Sequence, residues 1–167
     1  MIRARLRAPL IHLFQAPLPM EMVSTLNVYD YGLASVPYRQ FPERVRLAHV
    51  LLPACKAGDK IQIGANFQAT NDLSYAVEFT SRLVLTRHAT GIDGIVLSGG
   101  AGTGYNISPE MHHGDQHITA AGRIPEDGDW YVALMVYAGG ASMTQPGDIL
   151  KIDVGYGDLD VMRFRAA

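Results

Sequence analysis

Hydrophobic and polar residues alternate along most of the chain from residue 45 onward, with the period of two that predicts β-strands with one buried face. In 79–85, for example, the odd-numbered residues share one face and the even-numbered residues share the other. No window predicts a convincing helix, and 42–52, the best candidate, is interpreted as a strand. The pattern predicts strands over 22–31, 45–52, 60–70, 75–86, 94–98, 117–124, 130–137, 149–154 and 159–164.

A repeated Gly-Asp pair marks the ends of these segments. Glycine supplies the positive φ of a tight turn, and aspartate can accept a hydrogen bond from its own downstream backbone. All but the second of these pairs lead directly into a strand-like run, so they predict turns that set strand starts. The pairs are Gly58-Asp59, Gly114-Asp115, Gly128-Asp129, Gly147-Asp148 and Gly157-Asp158.

Many short strands joined by glycine, proline and aspartate turns predict an all-β protein. Two antiparallel sheets in a β-sandwich of jelly-roll type fit the strand count best. An immunoglobulin-like sandwich ranks second, because one Cys and one Trp cannot supply its usual Cys…Trp…Cys spacing. We expect a single β-sandwich domain over 22–167.

The first residues differ from the rest. Prolines at 9, 17, 19 and 37 interrupt regular sheet. We expect an extended N-terminal arm over 1–20, which docks on its own domain or on a neighbour's. Its apolar docking residues are Leu10, Ile11, Leu13 and Phe14.

Composition narrows the partners. Charged residues make up 18% of the chain, against about 25% in an average domain, which leaves more surface that a partner can cover. The net charge of −2 provides no basic field for a nucleic acid. No apolar run is long enough to span a bilayer, and we expect no membrane segment and no signal peptide. Cys55 is the only cysteine, so no intrachain disulfide forms, and we expect it to be a half-buried residue before a turn.

The segment M-H-H-G-D-Q-H (111–117) raises the question of a metal site. His112, His113 and His117 are the candidate metal ligands. The Gly-Asp turn signal between His113 and His117 argues against one helical face, and adjacent strand residues point to opposite faces. Neither the H-E-x-x-H pattern nor a cupin-type H-x-H followed by Glu is present.

Other catalytic patterns are also missing. There is no G-x-S-x-G elbow, and the glycine-rich run 97–105 lacks the G-K-[ST] of a phosphate-binding loop. We therefore predict no catalytic residues, no cofactor and no enzymatic activity. An enzyme on a cupin-like barrel is the least favoured alternative.

Three stretches carry a resemblance to a known family. They are A-G-D-K-I-Q-I-G-A-N-F-Q-A-T-N-D-L-S-Y-A-V-E-F (57–79, continuing to 85), G-Y-N-I-S-P-E-M-H-H (104–113), and the paired C-terminal runs of 131–164 that end in D-V-M-R-F. Together they resemble jelly-roll virion structural proteins of tailed bacteriophages, both fibre or spike modules and capsid-decorating domains. The resemblance covers roughly 45–165 and rests on turn and strand patterns.

The resemblance implies a homo-oligomer, with a trimer favoured, that attaches to other virion proteins. It places the chain in the virion after synthesis in the host cytoplasm. In a trimer, three copies of one histidine at the three-fold axis could bind a metal that no monomer binds alone. The alternative is a lectin-like module that binds a host surface glycan through loops 98–110 and 137–147, with Tyr105 and Asn106 as candidate residues.

Overall fold

In a computed structural model, the described part of the chain is made of β-strands and turns, with no helix in it. The structure describes residues 20–25, 35–37, 45–71, 74–75, 77–91, 93–97, 103–107, 114–138 and 149–166. No helix long and apolar enough to cross a membrane occurs within these ranges. The strands are β1 (Met20–Thr25), β2 (Ser35–Pro37), β3 (Val45–Cys55), β4 (Lys60–Thr70), β5 (Val77–Thr86), β6 (Ile95–Val96), β7 (Thr103–Ile107), β8 (Gly114–Arg123), β9 (Gly128–Ala138) and β10 (Ile149–Phe164).

The strands form two antiparallel sheets. The first has the order β1-β10-β4-β8, with β2 paired to the opening residues of β10. The second has the order β3-β9-β5-β6, with β7 also paired to β5. Consecutive strands in the described ranges lie in different sheets at six places: β2 and β3, β3 and β4, β4 and β5, β7 and β8, β8 and β9, and β9 and β10. This is the strand order of a jelly roll, so the predicted antiparallel sandwich of jelly-roll type is confirmed.

The core lies between the two sheets because each strand turns one face inward. Along β4 the odd-numbered residues from Ile61 to Ala69 are buried, whereas the even-numbered residues up to Gln68 face outward. Strand β10 beside β4 and the strands of the opposite sheet contribute branched aliphatic side chains that are fully buried. Leu52, Leu83, Leu85, Val132, Leu134, Val136, Leu159 and Val161 are of this kind.

The turn between β3 and β4 shows why a Gly-Asp pair is needed at a sheet crossing. Gly58 has a φ of +90°, which a side chain would strain. Asp59 is buried, and its carboxylate accepts hydrogen bonds from the backbone N–H of Lys56 at 3.0 Å and of Ala166 at 2.7 Å. The prediction that this pair sets the start of β4 is confirmed, and the same aspartate fastens the C-terminal residues to the turn.

Arg163 is the largest side chain that is fully buried in the described residues, at 1% exposure. It donates a hydrogen bond to the backbone carbonyl of Pro53 at 2.6 Å and one to the sulfur of Cys55 at 3.1 Å. Burial raises the pKa of the Cys55 thiol, while Arg163 acts in the opposite direction. Cys55 precedes the turn as predicted, but it is fully buried rather than half-buried, because β10 covers it.

The β8–β9 crossing is held by Arg87, which follows β5. Its guanidinium lies 4.2 Å from the centroid of the Trp130 ring and donates to the carboxylate of Glu126 and to the carbonyls of Asp127 and Asp129. Trp130 in turn donates from its indole N–H to the carbonyl of Glu126 at 3.0 Å. These contacts join the end of β5 and the start of β9 to the turn between β8 and β9, and they fix the position of that turn.

Two further local predictions were wrong. Gly157-Asp158 is not a turn between two strands, because β10 runs without a break from Ile149 to Phe164. Its register against β4 shifts between Ile152 and Gly157, where β10 advances further than β4 does. The extra residues form a bulge that glycine tolerates. The second error concerns the expected loop 98–110, since 103–107 form strand β7.

Other boundaries lie outside the described residues. The predicted arm over 1–20 lies there apart from Met20, which begins β1, and so do Leu10, Ile11, Leu13 and Phe14. The arm and the domain boundary therefore stay predictions.

Replacement of Arg163 by alanine is expected to lower the free energy of unfolding by roughly 3 kcal/mol. It removes a buried donor from the Pro53 carbonyl and leaves a cavity between β3 and β10. Urea denaturation measures the change, with Arg165→Ala as the matched control because that side chain is exposed. Equal stability of the two variants would contradict the role of the buried guanidinium.

Candidate functional site

The solvent-facing side of the first sheet is a continuous, ordered surface, which we call the outer face. It forms because residues of β10, β4 and β8 alternate between the core and solvent. Its members are Lys60, Gln62, Gly64, Asn66 and Gln68 on β4, Asp115, His117, Thr119, Ala121 and Arg123 on β8, and Asp158, Asp160, Met162 and Phe164 on β10. His117, a predicted metal candidate, is one of them.

A polar row crosses the outer face from β10 to β8. The side-chain amide of Asn66 donates to the carboxylate of Asp158 at 2.8 Å, and its oxygen accepts from the Nδ1 of His117. An ionised carboxylate only accepts, so Asp158 fixes the orientation of the amide, and the amide oxygen requires a proton on Nδ1. His117 is therefore held in one tautomer by its neighbours.

A second polar contact lies further along the same strands. Gln68 donates to the carboxylate of Asp115 at 2.7 Å, and the two residues are directly opposite in the β4–β8 register. Between this contact and the opposite end of the face lies Gly64, flanked by Thr119 and Asp160. A Cβ at Gly64 would meet no atom within 4 Å, so the middle of the face is open.

A depression of about 650 Å³ lies on β4 and β8, towards the end marked by Lys60 and Arg123. Ala121 and Gly122 have a small side chain or none, which makes room for the depression, and longer side chains form its rim. The rim combines two cations with an amide and an aromatic ring, from Lys60, Arg123, Gln62 and Phe164. Such a surface can accept an anionic group and cover its apolar part.

Asp160 lies at the centre of the outer face, opposite Gly64 in the register. Burial raises its pKa first, and the neighbouring charge of Asp158 raises it further. The folded protein therefore holds a proton on Asp160 more tightly than the unfolded chain does.

The predicted site residues are not brought together among the described residues. Tyr105 and Asn106 lie in β7, where they pair with Phe79 and Glu78. That strand belongs to the second sheet, whereas His117 belongs to the first. His112 and His113 lie outside the described residues.

No group of three or more His, Cys, Asp or Glu side chains that could hold a metal occurs in the described ranges. His117 instead contacts an amide oxygen and lies in a row with one carboxylate. The sequence alone singled out His117 but not Asn66, Lys60 or Arg123. These three residues become neighbours of the site only through the β4–β8 register. It places Asn66 opposite His117 and Lys60 opposite Arg123, although the members of each pair are 51 or more positions apart in the sequence.

Neither the models of known protein families nor the curated protein sequences include a match to this chain. Solved structures do resemble it. The VP2 subviral particle of infectious bursal disease virus matches with a TM-score of 0.50 and 14% identity, over 86% of this chain and 32% of that one. The Gx strain of the same virus matches with a TM-score of 0.46 and 14% identity, over 86% and 33%.

T=1 particles derived from that virus match with a TM-score of 0.46 and 13% identity, over 96% of this chain and 41% of that one. The chain thus spans about a third of the length of the first two chains that it matches, at 33% and 32%. At 14% identity the likeness to VP2 shows the fold. The jelly-roll fold that the sequence resemblance implied is confirmed, and both the virion role and the assignment to tailed bacteriophages stay predictions.

Replacement of Asp160 by asparagine is expected to raise the melting temperature at neutral pH and to change it little at acid pH. The reason is that a raised folded-state pKa makes stability fall as pH rises from the unfolded-state value of about 4 to the folded-state value. Asparagine resembles the protonated acid and removes that loss. Thermal melts of both proteins between acid and neutral pH measure the difference.

Asp158→Asn is the matched control for this prediction. It removes the neighbouring negative charge and leaves the burial of Asp160 unchanged. The pKa of Asp160 should therefore fall but stay above its ordinary value. A carboxyl titration followed by NMR measures that pKa. A difference in melting temperature between wild type and Asp160→Asn that is the same at every pH would contradict the account.

Proposed function

We propose that this chain is a structural component of a virus particle that acts through homo-oligomerisation and attachment to other particle proteins. One observation carries the proposal: the two-sheet jelly-roll order, with its likeness to VP2 of a subviral particle at a TM-score of 0.50. The proposal gives the chain no catalytic role and no cofactor.

The packing of the sandwich is compatible with this role. A subunit of a particle needs a rigid body, since its contacts repeat with fixed geometry. Here the core is continuous between the sheets, and both the β3–β4 and the β8–β9 crossings are tied by side chains, namely Asp59 and Arg87. The low content of charged residues, 18%, suits surfaces that other subunits cover.

The finer proposal follows the sequence resemblance. It assigns the chain to the virion of a tailed bacteriophage, as a capsid-decorating or tail fibre or spike module, with a trimer as the favoured oligomer. The predicted arm over 1–20 would tether the domain to a neighbouring subunit or to another virion protein. Its support is the Pro-interrupted apolar sequence that contains Leu10, Ile11, Leu13 and Phe14.

A second candidate function is binding of a host surface glycan, and the depression on the outer face favours it. Phe164 provides a ring for stacking, and Gln62, Lys60 and Arg123 provide hydrogen-bond donors around it. Tyr105 and Asn106, the candidates from sequence, would form a different site on the second sheet. A glycan array separates the two, because Phe164→Ala should abolish binding only at the outer face.

Removal of residues 2–19 is expected to leave a folded domain that no longer forms the trimer or attaches to other virion proteins. The deletion stops one residue before β1, so no strand of the sandwich is lost. Sedimentation velocity reads the assembly, and circular dichroism reads the fold. A variant of full length with Leu10, Ile11, Leu13 and Phe14 changed to serine should behave in the same way, because it removes only the apolar contacts.

Normal assembly of both variants would contradict the role of the arm as a tether between subunits. A full-length chain that stays monomeric at every concentration tested would contradict the proposed function itself.

A further inference from the structure

The charges of the outer face are segregated along the strands. Lys60 and Arg123 lie at one end, which we call the basic end. Asp115 and Asp158 lie towards the other, the acidic end. The ends are separated by Gly64 and its flanking residues, at a distance of roughly 20–26 Å for strands that rise about 3.3 Å per residue.

The basic end lacks a counter-charge within the described part of the molecule. Lys60 and Arg123 are directly opposite in the β4–β8 register and face the same side. Like charges in that position destabilise a sheet unless an anion lies between them. Neither side chain has an ion pair to any described residue. They also form the rim of the depression of about 650 Å³, which leaves room for an incoming group.

The register defines how two such faces can complement one another. Consider a two-fold axis that lies in the interface and crosses the strands at the row Asp160–Gly64–Thr119. The rotation reverses the strand direction and keeps each strand above its own copy. Arg123 lies four residues after Thr119 and Asp115 lies four residues before it. Arg123 of each subunit therefore meets Asp115 of the other, and the pair occurs twice.

The same rotation places Lys60 above Gln68, next to the carboxylate of Asp115 that Gln68 contacts. The alternative axis, parallel to the strands, would superpose the two basic ends and is disfavoured by repulsion. At the favoured axis lies Gly64, where no side chain holds the two sheets apart.

We propose that the outer face of β10, β4 and β8 binds the same face of a second copy of this chain, with Arg123 of each copy paired to Asp115 of the other. The inference deepens the proposed function, on which it rests for the identity of the partner. The occupant of the depression is then the acidic end of a second subunit.

One feature of the face opposes the association. Asp160 lies on the axis row, so two copies of it approach one another. The residues opposite it in the register are Gly64 on β4 and Ser24 on β1, and Asp158 lies two residues before it on its own strand. None of these is a cation, so Asp160→Asn should strengthen the dimer.

The size of the face sets the expected affinity. Three strands of about ten residues cover roughly 33 Å by 14 Å at ordinary strand spacing. That is below the roughly 800 Å² per partner of a standard interface. We therefore expect a dissociation constant for the isolated pair of about 1–100 μM, which a particle would reinforce by further contacts.

Charge exchange tests the proposal. Arg123→Glu and Asp115→Arg should each weaken the association about tenfold or more, because each sets like charges against one another twice. The double variant Arg123→Glu, Asp115→Arg should restore it, since the pairs are then reversed. Sedimentation equilibrium of the full-length chain with Leu10, Ile11, Leu13 and Phe14 changed to serine isolates this contact from the apolar contacts of the arm. Arg123→Lys is the matched variant that keeps the charge.

The outcomes separate this inference from the proposed function. Restoration in the double variant and stronger association of Asp160→Asn support the pairing. A full-length chain that assembles, while the charge variants associate as the wild type does, overturns the inference and leaves the proposed function standing. A chain that is monomeric up to about 1 mM contradicts both. Binding of an acidic oligosaccharide to a monomer at Lys60 and Arg123 would also overturn the inference, in favour of a glycan.

Discussion

The burial of one face of each sheet against the other is the constraint on which this structure depends. Because the side chains of a strand alternate, placing Ile61, Ile63 and Phe67 in the core places Lys60, Gln62 and Asn66 on the outside in fixed register. A shift of one residue would expose the apolar set. The positions of the charges on the outer face are thus fixed by the core, and the recognition that we propose uses a surface that packing has already defined.

At the sheet crossings the backbone leaves both sheets, so its N–H and C=O groups have no strand partner. Polar side chains take over the hydrogen bonds that a strand partner would supply. Asp59 accepts from two backbone N–H groups. Just before the β3–β4 crossing, Arg163 donates to the carbonyl of Pro53, where the pairing of β3 with β9 is interrupted. Arg87 does the same for the β8–β9 crossing with the help of the Trp130 ring. Several charged residues of this chain therefore hold its architecture, and charge alone does not mark a site of function.

Much of the fold could be predicted from the sequence, because alternation and turn residues are local signals. β4 was predicted at its observed bounds, and β5 and β9 to within two residues at either end. The division of β10 at Gly157-Asp158 was wrong because a bulge and a turn use the same residues, and only pairing with β4 distinguishes them. Strand β7 was missed because its sequence, T-G-Y-N-I, has little hydrophobic content, and its partner β5 supplies the stabilisation.

The candidate site was less accessible to prediction, since it depends on which strands are neighbours. His117 was identified from its place in a histidine cluster, yet its contact is the amide of Asn66, on a strand that the sequence does not link to it. Native mass spectrometry of the full-length chain tests the central claim most directly. The account predicts homo-oligomers whose masses are multiples of 18.2 kDa, unchanged by a chelator. A monomer that carries one metal ion would contradict it and would indicate that the histidines of 111–117 bind a metal.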